Sequence, residues 1–304
     1  MAKVVLAGGT GNLGVLLSEA FLNRGDEVLI LTRQRNAESN NGLQYVFWDG
    51  ETIGTWIKHI ERADVIINLS GQRIDRRFTD GNKAILEKSR LLPTQIIGSA
   101  IQQLQYPPKL WINFSGISIF SDAPSGFHDE DGQEYGTGFL AYLTQKWENA
   151  VHDIILPSTR KVILRVSPVL LKDTGMFSEL YLLTKWGLGG KVGNGKQYIS
   201  WIHEQDFIAL VFWLIAKEPK DAIYHACTPF PVTNTAFMEQ LRQSAGVGLG
   251  IPIPAIFARV GALIKGVDAS LLLSSTQATT KKTIVEGFKF KYPSIQQAFS
   301  QLIK

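Results

Sequence analysis

Cysteine is almost missing from this chain. Cys227 is the single one in 304 residues, so no disulfide can close within the chain, and a reducing compartment fits. No apolar run reaches the roughly 18 residues that a membrane-spanning helix needs. The first residues already read as a strand and leave no space for a signal peptide. Together these features predict a cytoplasmic protein. Charge of one sign is also scarce: 31 Lys and Arg stand against 27 Asp and Glu, for a formal net charge of +4. The basic residues are scattered, and Lys281-Lys282 is too short a run for a nucleic-acid patch, so neither nucleic acid nor membrane is an expected partner. His59, His128, His152, His203 and His225 are too dispersed for metal-ligand spacing, and no metal is expected. Asp129-Glu130-Asp131 reads as a solvated loop. Repeats and low-complexity segments are absent. What remains, 45% hydrophobic and 19% charged, describes a globular chain long enough for one large domain or a domain with a smaller appendage.

The most informative stretch lies at the start. The apolar run Val4-Val5-Leu6-Ala7 enters Gly8-Gly9-Thr10-Gly11-Asn12-Leu13-Gly14, and the apolar helical pattern of Leu16, Leu17, Ala20 and Phe21 follows. A strand ending in such a turn and opening a helix is a pyrophosphate site. Its glycines permit the tight turn, the close approach of the ligand and the packing of helix on strand. The helix N-terminus adds unpaired N–H groups and partial positive charge. Gly8, Thr10, Gly11, Asn12, Leu13 and Gly14 are therefore candidate cofactor contacts.

Glu27–Arg33 reads as a second buried parallel strand. Its end carries Thr32-Arg33-Gln34-Arg35, with no acidic residue before Glu38. An acidic residue there would hold a ribose 2′-hydroxyl, whereas an arginine accommodates a 2′-phosphate. Arg33 thus favours NADP(H) over NAD(H), unless it stacks on adenine or faces solvent. Residues 44–49 form a third strand with Asp49 at its exit. Residues 63–71 form a fourth, whose end at Leu69-Ser70-Gly71 suits a ligand lying across the sheet. Asp49, Leu69, Ser70 and Gly71 join the candidate cofactor contacts. A helix over about 80–104, a fifth strand 109–116 ending on Ser115, a loop at 121–138, a helix over about 138–155 and a sixth strand 161–166 complete the pattern. Strands alternating with helices at this spacing predict an α/β fold, a Rossmann-type doubly wound parallel sheet.

Residues 1–170 are expected to form this nucleotide-binding domain, with about 200–227 returning to it. Residues 171–304 form a substrate-side α+β region that includes a small C-terminal domain over about 248–304. The glycine-rich stretch 187–195 is either a loop at the rim of the site or a plain surface connection. Residues 288–292 read as an edge strand. His203 and Asp206 are expected to hydrogen-bond backbone at a strand-to-helix junction, and Trp111, Trp201 and Trp213 to be core aromatics.

Chemistry is expected where Ser115, at a central strand end, meets Tyr142-Leu143-Thr144-Gln145-Lys146. The four-residue spacing puts Tyr142 and Lys146 on one helix face. An ammonium beside a phenol favours the phenolate and equips it as a general base, while a serine hydroxyl could orient a substrate oxygen.

These motifs resemble the extended short-chain dehydrogenase/reductase superfamily, in its nucleoside-diphosphate-sugar epimerase-like branch of SulA type. Asn68-Leu69-Ser70-Gly71, Ser89-Arg90, Trp147-Glu148, Gly187-Leu188-Gly189-Gly190, Ser200-Trp201-Ile202-His203 and Glu286-Gly287-Phe288 match that branch, and the likeness runs the length of the chain. The resemblance implies an NADP(H)-binding Rossmann domain with a short C-terminal substrate domain. It also implies Ser115, Tyr142 and Lys146 at the triad positions, with Lys146 holding the nicotinamide ribose. Members of the branch often lack that tyrosine, and Ile119-Phe120 stands where tyrosines are common. The expectation is an NADP(H)-dependent oxidoreductase or epimerase acting on a small hydroxyl or carbonyl substrate, such as a sugar nucleotide. The alternative is a non-catalytic NADP(H)-binding redox sensor. A homodimer is compatible with either.

Overall fold

The computed structural model describes residues 1–35, 39, 42–124, 126–218 and 222–304; Glu38 lies outside the described residues. In chain order the elements are β1 (Lys3–Ala7), α1 (Asn12–Asn23), β2 (Glu27–Thr32), β3 (Leu43–Phe47), α2 (Ile57–Ile60), β4 (Val65–Asn68), α3 (Asp80–Gln103), β5 (Leu110–Gly116), α4 (Phe139–His152), β6 (Arg160–Val166), β7 (Val169–Leu170) and α5 (Gly175–Lys185). There follow β8 (Tyr198–Ile199), β9 (Ile202–His203), α6 (Glu204–Lys217), β10 (Ala222–Ala226), β11 (Val232–Thr233), α7 (Asn234–Ala245), α8 (Ala255–Lys265), α9 (Ser270–Leu273), α10 (Lys282–Val285) and α11 (Ile295–Leu302).

Seven strands form one parallel sheet in the order β10-β6-β5-β4-β1-β2-β3. Its central strands are β-branched and apolar because helices cover both faces. Alternate residues separate cleanly between the two layers. Val4, Leu6, Val28, Ile30, Ile67 and Phe114 pack under α1 and α6, with Leu17, Phe21, Phe207 and Leu210. Val5, Ala7, Leu29, Ile66, Trp111 and Ile163 pack under α3 and α4, with Ile97, Ala100, Ile101 and Val151. Burial of Gly14, Leu17, Ser18 and Phe21 gives α1 the one-sided stripe that docks it on the sheet. The order reverses between β1 and β4, so the ligand crevice of such a sheet opens at their carboxyl ends.

A third core, formed by Phe177 on α5, Phe237 and Leu241 on α7, and Ile295, Phe299 and Leu302 on α11, lies beside the sheet. Trp201 is fully buried within it. Residues 288–292 form no strand. Their backbone is satisfied otherwise, since Lys291 N and Tyr292 N donate to the two carboxylate oxygens of Asp206 at 2.7 and 2.8 Å. His203 caps α6 through Nδ1, which accepts from Gln205 N. Within the 121–138 loop, Asp129-Glu130-Asp131 departs from the solvated reading at Glu130. Glu130 is buried and accepts from Thr280 Oγ1 and from the backbone N–H groups of Lys281 and Lys282. It ties the C-terminal region to the sheet layer, and the hydrogen bonds from Thr280, Lys281 and Lys282 hold its carboxyl below the usual carboxylate range despite burial. The 187–195 stretch packs against 251–253: Gly193 N donates to Ile253 O and Ile253 N to Lys191 O.

Candidate cofactor cleft and active site

The crevice at the strand ends is built by close approach. A Cβ on Gly14 would lie 2.3 Å from Gly9 O, so only glycine lets α1 begin there. Gly8, at φ 78°, turns the chain away from β1, and a Cβ on it would meet the backbone of Ser70 at 3.0 Å. By contrast, the nearest atom to a Cβ on Gly11 is 3.9 Å away, so this N-cap glycine leaves open space. No side chain caps α1, and no acidic residue occupies its first turn, which leaves its N–H groups available to an anion. Thr10 and Asn12 are exposed at the turn, with Leu13 packed behind them. Asn12 Nδ2 donates to Thr174 Oγ1 at 3.0 Å, joining the turn to the N-cap of α5.

On the opposite wall, Leu69 N donates to Ala7 O, and Ser70 N to Asn68 Oδ1. Ser70 Oγ is buried without a hydrogen-bond partner, an orphan that lies against the glycine turn. Asn68 Nδ2 in turn donates to Asn113 Oδ1 at 2.7 Å and to Thr94 Oγ1 at 3.1 Å, which locks the ends of β4 and β5 to α3. Arg33 is exposed beyond β2, and Arg35 stacks its guanidinium on Phe47. Asp49 accepts from Glu51 N, Thr52 N and Thr52 Oγ1, which hold its carboxyl below the ordinary value while it remains exposed. The crevice therefore presents an uncapped helix N-terminus and an orphan hydroxyl, with an exposed arginine at the end of β2.

Among the described residues, no hydrogen bond joins Ser115 to Tyr142 or Lys146. Ser115 is buried, and its hydroxyl donates to Glu148 Oε1 at 2.6 Å instead of opening into the crevice. The reason is its neighbours on the same rung. Ser115, Arg165 and His225 are paired across β5, β6 and β10, and Arg165 is a buried cation that recruits Glu148 from α4. Arg165 Nε and Nη2 each donate to that carboxylate at 2.8 Å. His225 closes the rung. Its Nε2 faces Arg165 Nη1 at 3.4 Å and its Nδ1 faces Thr279 O at 2.7 Å, which assigns a neutral ring protonated at Nδ1. Burial pushes its pKa down.

Tyr142 and Lys146 do meet each other: Lys146 Nζ lies 4.8 Å from the centroid of the Tyr142 ring. Tyr142 is 53% exposed, and Lys146 also reaches across to Glu87 Oε1 on α3 at 2.8 Å. Glu87 first, then the Tyr142 hydroxyl, raise the lysine pKa. Besides Glu148, Thr144 of α4 faces the end of β5, about 200° around the helix from Tyr142 at 100° per residue. Thr144 Oγ1 lies 3.0 Å from Ser118 Oγ, beside Gly116. This hydroxyl pair carries no spacing signature in the sequence, since it depends on the rotation of α4 against the strand end.

Two family models match the chain: "NAD dependent epimerase/dehydratase family" over residues 4–146 and "Domain of unknown function (DUF1731)" over residues 253–302. Mouse "Epimerase family protein SDR39U1" is 28% identical over 314 residues, covering 99% of each chain. Bacillus subtilis "Epimerase family protein YfhF" is 28% identical over 303 residues, covering 99% of this chain and 98% of that protein. The crystal structure of human SDR39U1 with NADPH superposes with a TM-score of 0.86 at 25% identity, over 99% of this chain and 98% of that one.

Proposed function

The chain belongs to the NAD dependent epimerase/dehydratase family with a DUF1731 domain at its C-terminal end, and from that premise we propose an NADP(H)-dependent oxidoreductase or epimerase acting on a small hydroxyl or carbonyl substrate. The observation that carries this reading is the buried, unpartnered Ser70 Oγ set against an uncapped α1 N-terminus, because a buried hydroxyl without a partner costs free energy that a ligand would recover. Gly8, Thr10, Gly11, Asn12, Leu13 and Gly14 would hold the pyrophosphate and Leu69, Ser70 and Gly71 the opposite wall. Asp49 would face the adenine end and Arg33 the 2′-phosphate, as the NADPH in the human relative favours. When bound, the nicotinamide supplies the hydride acceptor or donor.

The protein's own part is proton handling. Tyr142 would take the proton of a substrate hydroxyl at its phenolic oxygen, with the Lys146 ammonium 4.8 Å from the centre of its ring. Lys146 would also reach the nicotinamide ribose, with Glu87 holding the ammonium charged. Ser115, with its hydroxyl committed to Glu148, acts as a positioning residue that fixes α4 on the end of β5. The test pairs NADPH titration with a screen of carbonyl compounds and sugar nucleotides on wild type and Tyr142→Phe. Turnover that depends on Tyr142 supports the enzyme. A second reading, a non-catalytic NADP(H)-binding redox sensor, is favoured by the commitment of the Ser115 hydroxyl to Glu148. Tight NADPH binding with no turnover that depends on Tyr142 would select it.

A further inference from the structure

Arg90 lies in the body of α3 with its guanidinium beneath the end of β4. Its Nη1 donates to Leu86 O and its Nη2 to Gln72 O, at 3.1 Å each, and Ser89 Oγ lies 3.4 Å from Nη1. The plane rests over Trp147, with Cζ 5.3 Å from the ring centroid. All of these partners are neutral. Among the described residues Arg90 has no carboxylate counter-ion, and the nearest charge that acts on it is a second cation, Arg76. Burial and Arg76 together bring its pKa down to about 10. Arg76 likewise has no carboxylate partner among the described residues, donating to Arg73 O and to Gln72 Oε1.

The two cations meet on Gln72, whose backbone oxygen takes Arg90 and whose side-chain oxygen takes Arg76, and half-buried cations with neutral partners are unfavourable unless an anion joins them. The position of the pair identifies where the anion enters. A Cβ on Gly71 would sit 3.2 Å from Arg90 Cζ and 3.4 Å from Nη2, so the guanidinium lies directly against the exposed glycine that ends the β4 wall of the crevice. Gly71 carries no side chain that could cover the guanidinium from that side. Guanidinium forks match the paired oxygens of phosphoryl and carboxylate groups.

We propose that Arg90 and Arg76 form an oxyanion subsite at the end of β4, which takes a phosphoryl or carboxylate group within the crevice. This rests on the cofactor reading above for its setting but not for its chemistry. The oxyanion has two possible sources, the dinucleotide's own phosphates or an anionic substrate lying beside it. Calorimetry separates them. Wild type, Arg90→Gln and Arg76→Gln are titrated with NADPH and, after saturation with NADP+, with UDP; the cofactor-free proteins are titrated with inorganic pyrophosphate. The expected result is at least a tenfold loss of affinity in Arg90→Gln for one of the nucleotides, with a smaller loss in Arg76→Gln for the same one. A loss confined to NADPH assigns the cofactor's phosphates, and a loss confined to UDP assigns the substrate. Affinities within twofold of wild type for all three ligands would overturn the subsite. Arg76→Gln covers the case in which removing Arg90 from its seat over Trp147 unfolds the protein. If wild type fails to bind NADPH, the cofactor reading fails by itself. Pyrophosphate binding that is lost in Arg90→Gln or Arg76→Gln still supports the subsite, and no pyrophosphate binding by wild type then refutes it.

Discussion

Ser115 Oγ donates a 2.6 Å hydrogen bond to Glu148, and the same carboxylate accepts two more from Arg165. Arg165 and Glu148 are 1% and 6% exposed at their side chains, so the pair is buried and neither charge has water to fall back on. Removing one partner leaves the other uncompensated. Glu148→Ala is expected to cost about 3–5 kcal/mol in denaturant unfolding. Ser115→Ala, which deletes one charge-assisted hydrogen bond and leaves the ion pair whole, is expected to cost about 1–3 kcal/mol. Equal losses for the two variants would contradict a network centred on the carboxylate.

The exposed Arg33 at the end of β2 makes a prediction about cofactor choice. Arg33→Ala should weaken NADPH binding by roughly 10- to 100-fold, the equivalent of about 1.5–3 kcal/mol of charge-assisted hydrogen bonding. NADH binding should be unchanged, because NADH has no 2′-phosphate. Titration of both reduced cofactors by fluorescence reads the difference. NADH bound as tightly as NADPH by wild type would remove the basis for NADP(H) selectivity.

Gly14 and Gly11 should respond differently to the same substitution. Gly14→Ala drives a methyl group to 2.3 Å from the carbonyl oxygen of Gly9, so α1 must shift and the melting temperature should fall by several degrees or more. Gly11→Ala meets nothing closer than 3.9 Å and should melt within a few degrees of wild type. Its methyl group enters the space left for the phosphates, so NADPH affinity should drop while the fold holds. A Gly11→Ala protein with wild-type NADPH affinity would argue that the phosphates lie elsewhere.

Acid stability should depend on His203. Its Nδ1 accepts from Gln205 N, and its Nε2 lies 2.8 Å from Gln301 Oε1, so the ring is neutral with its proton on Nε2. Burial, with Lys291 adding to it, lowers the pKa to about 4. The folded state therefore takes up this proton at lower pH than the unfolded chain, whose histidine titrates near 6.5. The contribution is complete above about pH 6.5 and is lost as pH falls toward 4, amounting to about 3 kcal/mol over that window. Asp206, whose pKa burial raises, acts in the opposite direction. Urea melts of wild type and His203→Gln at pH 7 and pH 4.5 isolate the histidine. The variant should lose less stability than wild type between the two pH values, and parallel losses would refute the assignment.

The parts of this molecule set by local pattern were readable in advance, and those set by three-dimensional meeting were not. Gly8, Gly11 and Gly14 announce their turn because adjacent residues impose it. His203 and Asp206 sit at a junction that the sequence marks with polar residues before an apolar helix. Residues 288–292 alternate like a strand, yet Asp206, more than eighty positions earlier, takes their N–H groups. Glu130 looks solvated beside Asp129 and Asp131, yet it is buried by Thr280, Lys281 and Lys282. Ser115 ends its strand as expected, but the side to which its hydroxyl bonds is decided by Arg165 on the next strand. No local spacing encodes that partner.

The last test concerns which face of α4 carries the chemistry. Tyr142 and Lys146 lie together on the face toward Glu87, whereas Thr144 meets Ser118 at the end of β5. If Tyr142 transfers the proton, Tyr142→Phe should lower kcat by about 10²- to 10⁴-fold, the usual reach of general acid–base catalysis, with NADPH affinity unchanged. Thr144→Val, which keeps the shape and removes the hydroxyl, should then change kcat severalfold at most. The reverse pattern, with Thr144→Val inactive and Tyr142→Phe near wild type, would move the proton-handling group to the Thr144–Ser118 pair. The pH profile distinguishes a direct loss from a disturbed helix. Loss of a general base removes the limb that base controls, whereas a displaced α4 lowers the whole profile and leaves its shape.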